Sequence, residues 1–190
     1  STLANNNLTA LSITAAPITI SAPTIAPKVY NGSTAAGAIT LGTVSGLVSG
    51  EALTVTPSAT AYSSANVGAA YTSTVSYVVT DGVGGLAANY STLANNNLTA
   101  LSITAAPITI TADSVRKYHG DVITSPATGV TTFTATGLQN GETIGSVTMT
   151  YGASAAAPAN LGLYPGEVTP SAAVGGTFTA SNYTITYTAN

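Results

Sequence analysis

Few side chains in this sequence are equipped for chemistry. Among 190 residues there are six Asp and Glu, three Lys and Arg, one His and no Cys. Acid–base and metal chemistry draws on those residue types, and their densest grouping is Asp113, Lys117, His119 and Asp121. One His among scattered carboxylates lacks the ligand spacing of a zinc or calcium site. The group reads as a solvated loop at the start of a strand, and Asp113 alone is a weak basis for a calcium-binding linker. No catalytic residue, metal or cofactor is expected, and the chain reads as a non-enzyme.

A second set of groups recurs. Lys28, Glu51 and Asn89 are echoed by Lys117, Glu142 and Asn182. A Lys amine and an Asn amide beside a buried acid can condense to an isopeptide, the new C–N bond forming as ammonia leaves. Against this, Glu51 and Glu142 each follow a turn Gly, and charged residues are seldom buried unless paired. The six residues stand as two cross-link candidates, each with the signature of an intact mass short by one ammonia. Hydroxyl rows such as Thr132-x-Thr134-x-Thr136 and Thr184-x-Thr186-x-Thr188 put Thr on one face of a strand. An ice- or glycan-binding face needs several such rows side by side, whereas here they stand isolated. Tyr90 and Tyr183 both precede a closing strand and suit core or corner roles. Asn7, Asn31, Asn89, Asn97 and Asn182 begin Asn-x-Ser/Thr sequons, which a Thr- and Asn-rich composition produces by coincidence.

The elements that must position these groups come from a repeat. Residues 1–20 and 91–110 are identical letter for letter, the mark of a recent duplication in a tandem array. A weaker repeat continues through both halves. Tyr30-Asn31-Gly32, Gly46-Leu47, Gly50-Glu51, Asn66-Val67-Gly68, Tyr71 and Asn89-Tyr90 answer in order to Tyr118-His119-Gly120, Gly137-Leu138, Gly141-Glu142, Asn160-Leu161-Gly162, Tyr164 and Asn182-Tyr183. Period-two alternation predicts strands over Tyr183–Tyr187, Ile18–Ile20, Ile108–Ile110, Tyr71–Val79, Val130–Thr136 and Leu98–Thr104. Asn31-Gly32, Asp81-Gly82, Gly84-Gly85, Asn140-Gly141 and Gly175-Gly176 predict the turns between them. The Ala-Pro pairs at 16–17, 22–23, 26–27 and 106–107 stiffen extended linkers. The expectation is all-β: two tandem small β-sandwich-like modules in an elongated arrangement, with minimal helix. Their expected bounds are 16–105 and 106–190, with 1–15 a spare closing strand. The second module is expected to stop short of its last strand. The donor segment Leu8, Leu11 and Ile13, from a neighbouring chain or repeat, would then complete an acceptor edge at Tyr183, Ile185 and Tyr187. With neither an initiating Met nor a signal peptide, the chain reads as a mature fragment or a slice of something longer.

These motifs resemble the YDG and MBG repeat families, found in tandem in large bacterial surface and secreted adhesins, including filamentous-haemagglutinin-like proteins. Tyr30-Asn31-Gly32 stands where the YDG type has Tyr-Asp-Gly, and Lys117-Tyr118-His119-Gly120-Asp121 is closer to the MBG type. The resemblance implies an extracellular, spacer-like role at the bacterial surface with no catalytic residues to carry over. Composition agrees: charged residues are 5% of the chain, too few basic groups for nucleic acid. No apolar run approaches the roughly 18 residues of a membrane span. The partners expected are copies of the chain, head to tail, or adjacent repeats of the same chain. A glycan- or ice-binding adhesin module is the rival reading.

Overall fold

The computed structural model describes residues 12–190. Five two-residue strands open it: β1 (Thr19–Ile20), β2 (Thr24–Ile25), β3 (Lys28–Val29), β4 (Ile39–Thr40) and β5 (Val44–Ser45). Longer strands follow: β6 (Leu53–Ala59), β7 (Gly68–Asp81), β8 (Asn96–Thr104) and β9 (Ala106–Ala112). The chain then forms β10 (Ala127–Val130), β11 (Phe133–Thr136), β12 (Ile144–Tyr151), β13 (Val168–Gly176) and β14 (Tyr183–Thr188). Helix among the described residues is confined to single 3₁₀ turns at Ala87–Asn89, Ala153–Ala155 and Ala180–Asn182. The all-β architecture of small modules is the one the alternation predicts.

The chain divides into two compact units. The first holds the described residues through Ala26, with Ala36–Ala61 and Thr72–Thr99. In it β1 pairs with β5, β2 with β4, and β6 with β7, all antiparallel. Its core gathers Ile18, Tyr90 and Leu93, with Ile20, Val44, Leu53, Val55 and Val79 packed against them. Strand β6 shows the cause: its residues alternate half-buried and exposed, as a strand covered on one face must.

The second unit holds Pro27–Ala35, Tyr62–Tyr71 and Ala100–Asn190. Three segments of the first sequence repeat, Pro27–Ala35, Tyr62–Tyr71 and residues 100–105, therefore belong to the compact unit built around the second. Here β9 is the centre of a three-stranded sheet, antiparallel to β11 and parallel to β14. A second sheet has the order β10-β12-β13. Ile108 and Ile110 of β9 and Val147 and Met149 of β12 are all at most 2% exposed. Burying each such side chain stabilises by roughly 1.5–3 kcal/mol. At the end of β8, Ile103 and Thr104 pair in parallel with Lys28 and Val29 of β3.

The predicted strand Val130–Thr136 is two strands. Val130 ends β10, opposite Val147 of β12, whereas Phe133–Thr136 pairs with β9. Thr131 and Thr132 carry the chain from one sheet to the other, so Thr132 leaves the row it was expected to join. Alternation runs unbroken through such a corner, because each half still presents one face to the core.

Candidate functional site

The recurrent Gly-Leu-x-x-Gly-Glu and Asn-Tyr motifs build the same structure twice. In each turn the first Gly lies against the strand that opens its module: Gly46 has φ +97°, and a Cβ there would sit 2.4 Å from the Pro17 carbonyl oxygen. Gly137 has φ +98°, with the Pro107 oxygen at 2.5 Å from such a Cβ. Neither position has room for a side chain. The turn closes when Glu51 N–H donates to Val48 O, and Glu142 N–H to Gln139 O, both at 3.0 Å. The 3₁₀ turns Ala87–Asn89 and Ala180–Asn182 deliver Tyr90 and Tyr183 to these loops. Tyr90 Oη accepts the Val48 N–H (3.1 Å) and donates to Glu51. Tyr183 Oη accepts the Gln139 N–H (2.9 Å) and donates to Glu142 Oε2 (2.8 Å). Backbone placement agrees, since Ala16 bridges Tyr90 in parallel and Ala106 pairs with Tyr183.

The second unit adds a layer to its corner. Tyr30 donates to the other oxygen of Glu142 and meets Tyr183 edge-on, ring centroids 5.4 Å apart. Asn182 is 1% exposed. Its Oδ1 accepts the Val67 N–H and its Nδ2 donates to Asn66 Oδ1, both at 2.9 Å. Burial, with the Glu142 carboxylate beside it, pushes the Tyr183 hydroxyl up to about 12, and the same causes raise Tyr30. In the first unit Glu51 raises Tyr90, chiefly through their hydrogen bond. Glu51 receives one phenol where Glu142 receives two, and Asn89, the counterpart of Asn182, is exposed.

The remaining sequence candidates fall as follows. Lys117 Nζ donates to the carbonyls of Asp121 and Ala156, while Glu142 and Asn182 take the partners just given. Lys28 Nζ bonds Asn31 Oδ1 (3.2 Å) and the Ser33 carbonyl. Neither lysine has a hydrogen bond to the Glu or Asn grouped with it among the described residues. The pairs that recur are instead Glu with Tyr. Of the donor segment, Leu8 and Leu11 lie outside the described residues, and Ile13 is 94% exposed. Tyr183, Ile185 and Tyr187 lie on β14, the outer strand of its sheet; Tyr187 Oη accepts the Ala173 N–H (2.9 Å). Among the described residues no group of three or more His, Asp or Glu is placed to hold a metal.

Two arrangements were not legible in the sequence. The register stacks Thr136, Thr109 and Thr186 in one cross-strand row and Thr134, Thr111 and Thr188 in the next. Their neighbours Ile108 and Ile110 are buried, so the six hydroxyl-bearing side chains share the opposite face. The rows were visible singly; only β9, the intervening strand, makes them an array. The second arrangement is a cleft of about 570 Å³ in the second unit, lined by Tyr118, His119, Asn160, Leu161, Leu163 and Tyr164 among others. His119 Nδ1 lies 3.1 Å from the Ala159 carbonyl. Glu167 also lines the cleft and accepts the Ser154 N–H (2.8 Å); hydrogen bonding from the Ser154 side chain, and then from its backbone, holds the carboxyl below the usual range.

A duplicated β module whose recurrent polar groups tie turns to strands is the build of a tandem repeat protein. Residues 14–98 match the YDG domain and residues 108–190 the MBG domain (YGX type). The chain is thus a YDG domain and an MBG domain in tandem. Both are non-enzymatic repeat domains associated with surface proteins. No curated protein and no solved structure matches the chain. Among the described residues no helix is long and apolar enough to cross a membrane.

Proposed function

We propose that this chain is a structural repeat module of an extracellular bacterial fibre or adhesin stalk, with bounds near 16–105 and 106–190, joined head to tail by strand completion between chains or as successive repeats of one array. The observation that supports it most is the Tyr–Glu corner, built twice by recurrent motifs and spent on tying each module's turn to its first strand. Hydrogen bonds used in this way hold a spacer together. Light scattering and electron microscopy of residues 1–190, beside a chain lacking residues 1–14, test the assembly. Filaments that vanish with the truncation support strand exchange between chains. Monodisperse monomers from both favour a continuous stalk.

The Thr array favours a second reading, a glycan- or ice-binding face. Its rows are about 4.8 Å apart between strands and about 6.7 Å along them, a regular hydroxyl grid. Ice-recrystallisation and glycan-array assays with a Thr109→Lys variant check it; inhibition or binding abolished by the substitution would favour this reading over the spacer.

A further inference from the structure

The second unit contains a worked example of one repeat gripping the next. Tyr30, Asn66 and Val67 come from the first sequence repeat, and Glu142, Asn182 and Tyr183 from the second. Each has a counterpart one repeat away; of those counterparts Tyr118, Asn160, Leu161 and Asn89 are exposed, Glu51 is half-buried and Tyr90 is buried. Tyr118, which answers to Tyr30, is 85% exposed, and Leu161, which answers to Val67, is 95% exposed. Glu51 lacks the second phenol that Glu142 has, and Asn89 is exposed where Asn182 is buried. Ile13 is 94% exposed where its counterpart Ile103 is 1%.

These counterparts fall into two complementary sets. Tyr118, Asn160 and Leu161 line the 570 Å³ cleft of the second unit. Glu51, Tyr90 and Asn89 belong to the first unit, where Ala16 N–H donates to Asn89 O (2.8 Å) and ties in the segment that leads from Ile13. Resting on the head-to-tail reading above, we infer that this cleft is the docking site for the first unit of a second copy of the chain. The Tyr118 hydroxyl donates to the copy's Glu51, as Tyr30 does to Glu142. The copy's Asn89 takes Asn160 and the Leu161 N–H, as Asn182 takes Asn66 and Val67. The copy's Ile13 fills the place Ile103 has here, and its Thr14 carbonyl accepts the Tyr118 N–H, as Thr104 accepts that of Tyr30 (2.8 Å). To do so Tyr118 N–H leaves Asp121 Oδ2, which it now reaches at 3.0 Å. The two surfaces are unlike, so the contact propagates rather than closing into a dimer.

The chain has no Cys, so single thiols report the contact. Equal amounts of Leu161→Cys and Ala88→Cys chains, the second thiol on an exposed neighbour of Asn89, are mixed and treated with a short bismaleimide. Cross-linked product should join unlike variants well above like pairs. Adding Tyr118→Phe, an exposed change that circular dichroism will show leaves the fold intact, should weaken association about tenfold, the loss of one charge-assisted hydrogen bond. Glu51→Gln in the other chain should weaken it in the same direction. Oligomers that cross-link no better between unlike than like variants, or that ignore both substitutions, overturn this docking mode alone. A wild-type chain that stays monomeric at its highest soluble concentration overturns the trans assembly and this site with it.

Discussion

Ser12–Ile20 and Ser102–Ile110 are the same nine residues, and the molecule treats them differently. Their second halves agree: Ile18 and Ile108 are 4% and 2% exposed, and each lies beside the Gly of its corner turn. Their first halves part, Ile103 being a strand residue buried beside β3 and Ile13 standing in solvent outside any strand. Local sequence suffices where a module brings its own partner, as the turns at Gly46 and Gly137 do. It does not suffice where the partner is a strand from elsewhere in the chain.

The largest effect should separate the two isoleucines. Ile103→Ala is expected to cost about 3–4 kcal/mol of stability, through lost burial and the cavity it leaves. Ile13→Ala should change the monomer by less than about 0.5 kcal/mol. Urea unfolding of both variants measures the contrast, and equal losses would break it. Next come the two corners. Glu142→Ala strands the hydroxyls of Tyr30 and Tyr183 and should cost about 3 kcal/mol. Glu51→Ala strands one and should cost roughly half as much. Amide exchange read by mass spectrometry assigns each loss to its unit.

Alkaline titration sharpens the same comparison. Tyr30, Tyr90 and Tyr183 hold their protons more tightly folded than unfolded. The unfolded phenols ionise near pH 10, so the unfolded chain loses protons first. The stability these groups contribute is therefore present in full below that pH and is lost as pH rises toward about 12, where Tyr183 ionises. The second unit, with two phenols on one carboxylate, should show the steeper fall when urea midpoints are followed across this window. Glu142→Gln should flatten it. The smallest effect concerns two other tyrosines. Tyr77 Oη is buried in the first unit without a partner among the described residues, whereas Tyr187 Oη accepts the Ala173 N–H. Tyr77→Phe should leave stability unchanged or raise it by up to about 1 kcal/mol, and Tyr187→Phe should lower it by about the same amount. Thermal unfolding distinguishes the two signs.

Much of the fold was readable because β structure writes a period of two and its turns need Gly and Asn at set places. The recurrence of Glu51 with Glu142, and of Tyr90 with Tyr183, was also readable. Their joining was not: the acid and the phenol are 39 and 41 residues apart, and no local rule links such distances. Recurrence alone fits the lysines to the glutamates equally well, and only the fold gives the glutamates to the tyrosines. The break of Val130–Thr136 was hidden because a strand that changes sheets keeps its alternation.

Residue types alone determined that this chain is β-rich, repetitive and poor in catalytic groups, since periodicity, turn chemistry and composition are local properties. Register determined the rest. Only the pairing of β9 with β11 and β14 makes a grid of separate Thr rows, and only the fold puts Tyr30 on Glu142 and Asn66 on Asn182. Those contacts depend on which segments share a compact unit. Burial by distant neighbours decides that, and a short stretch of sequence does not encode it.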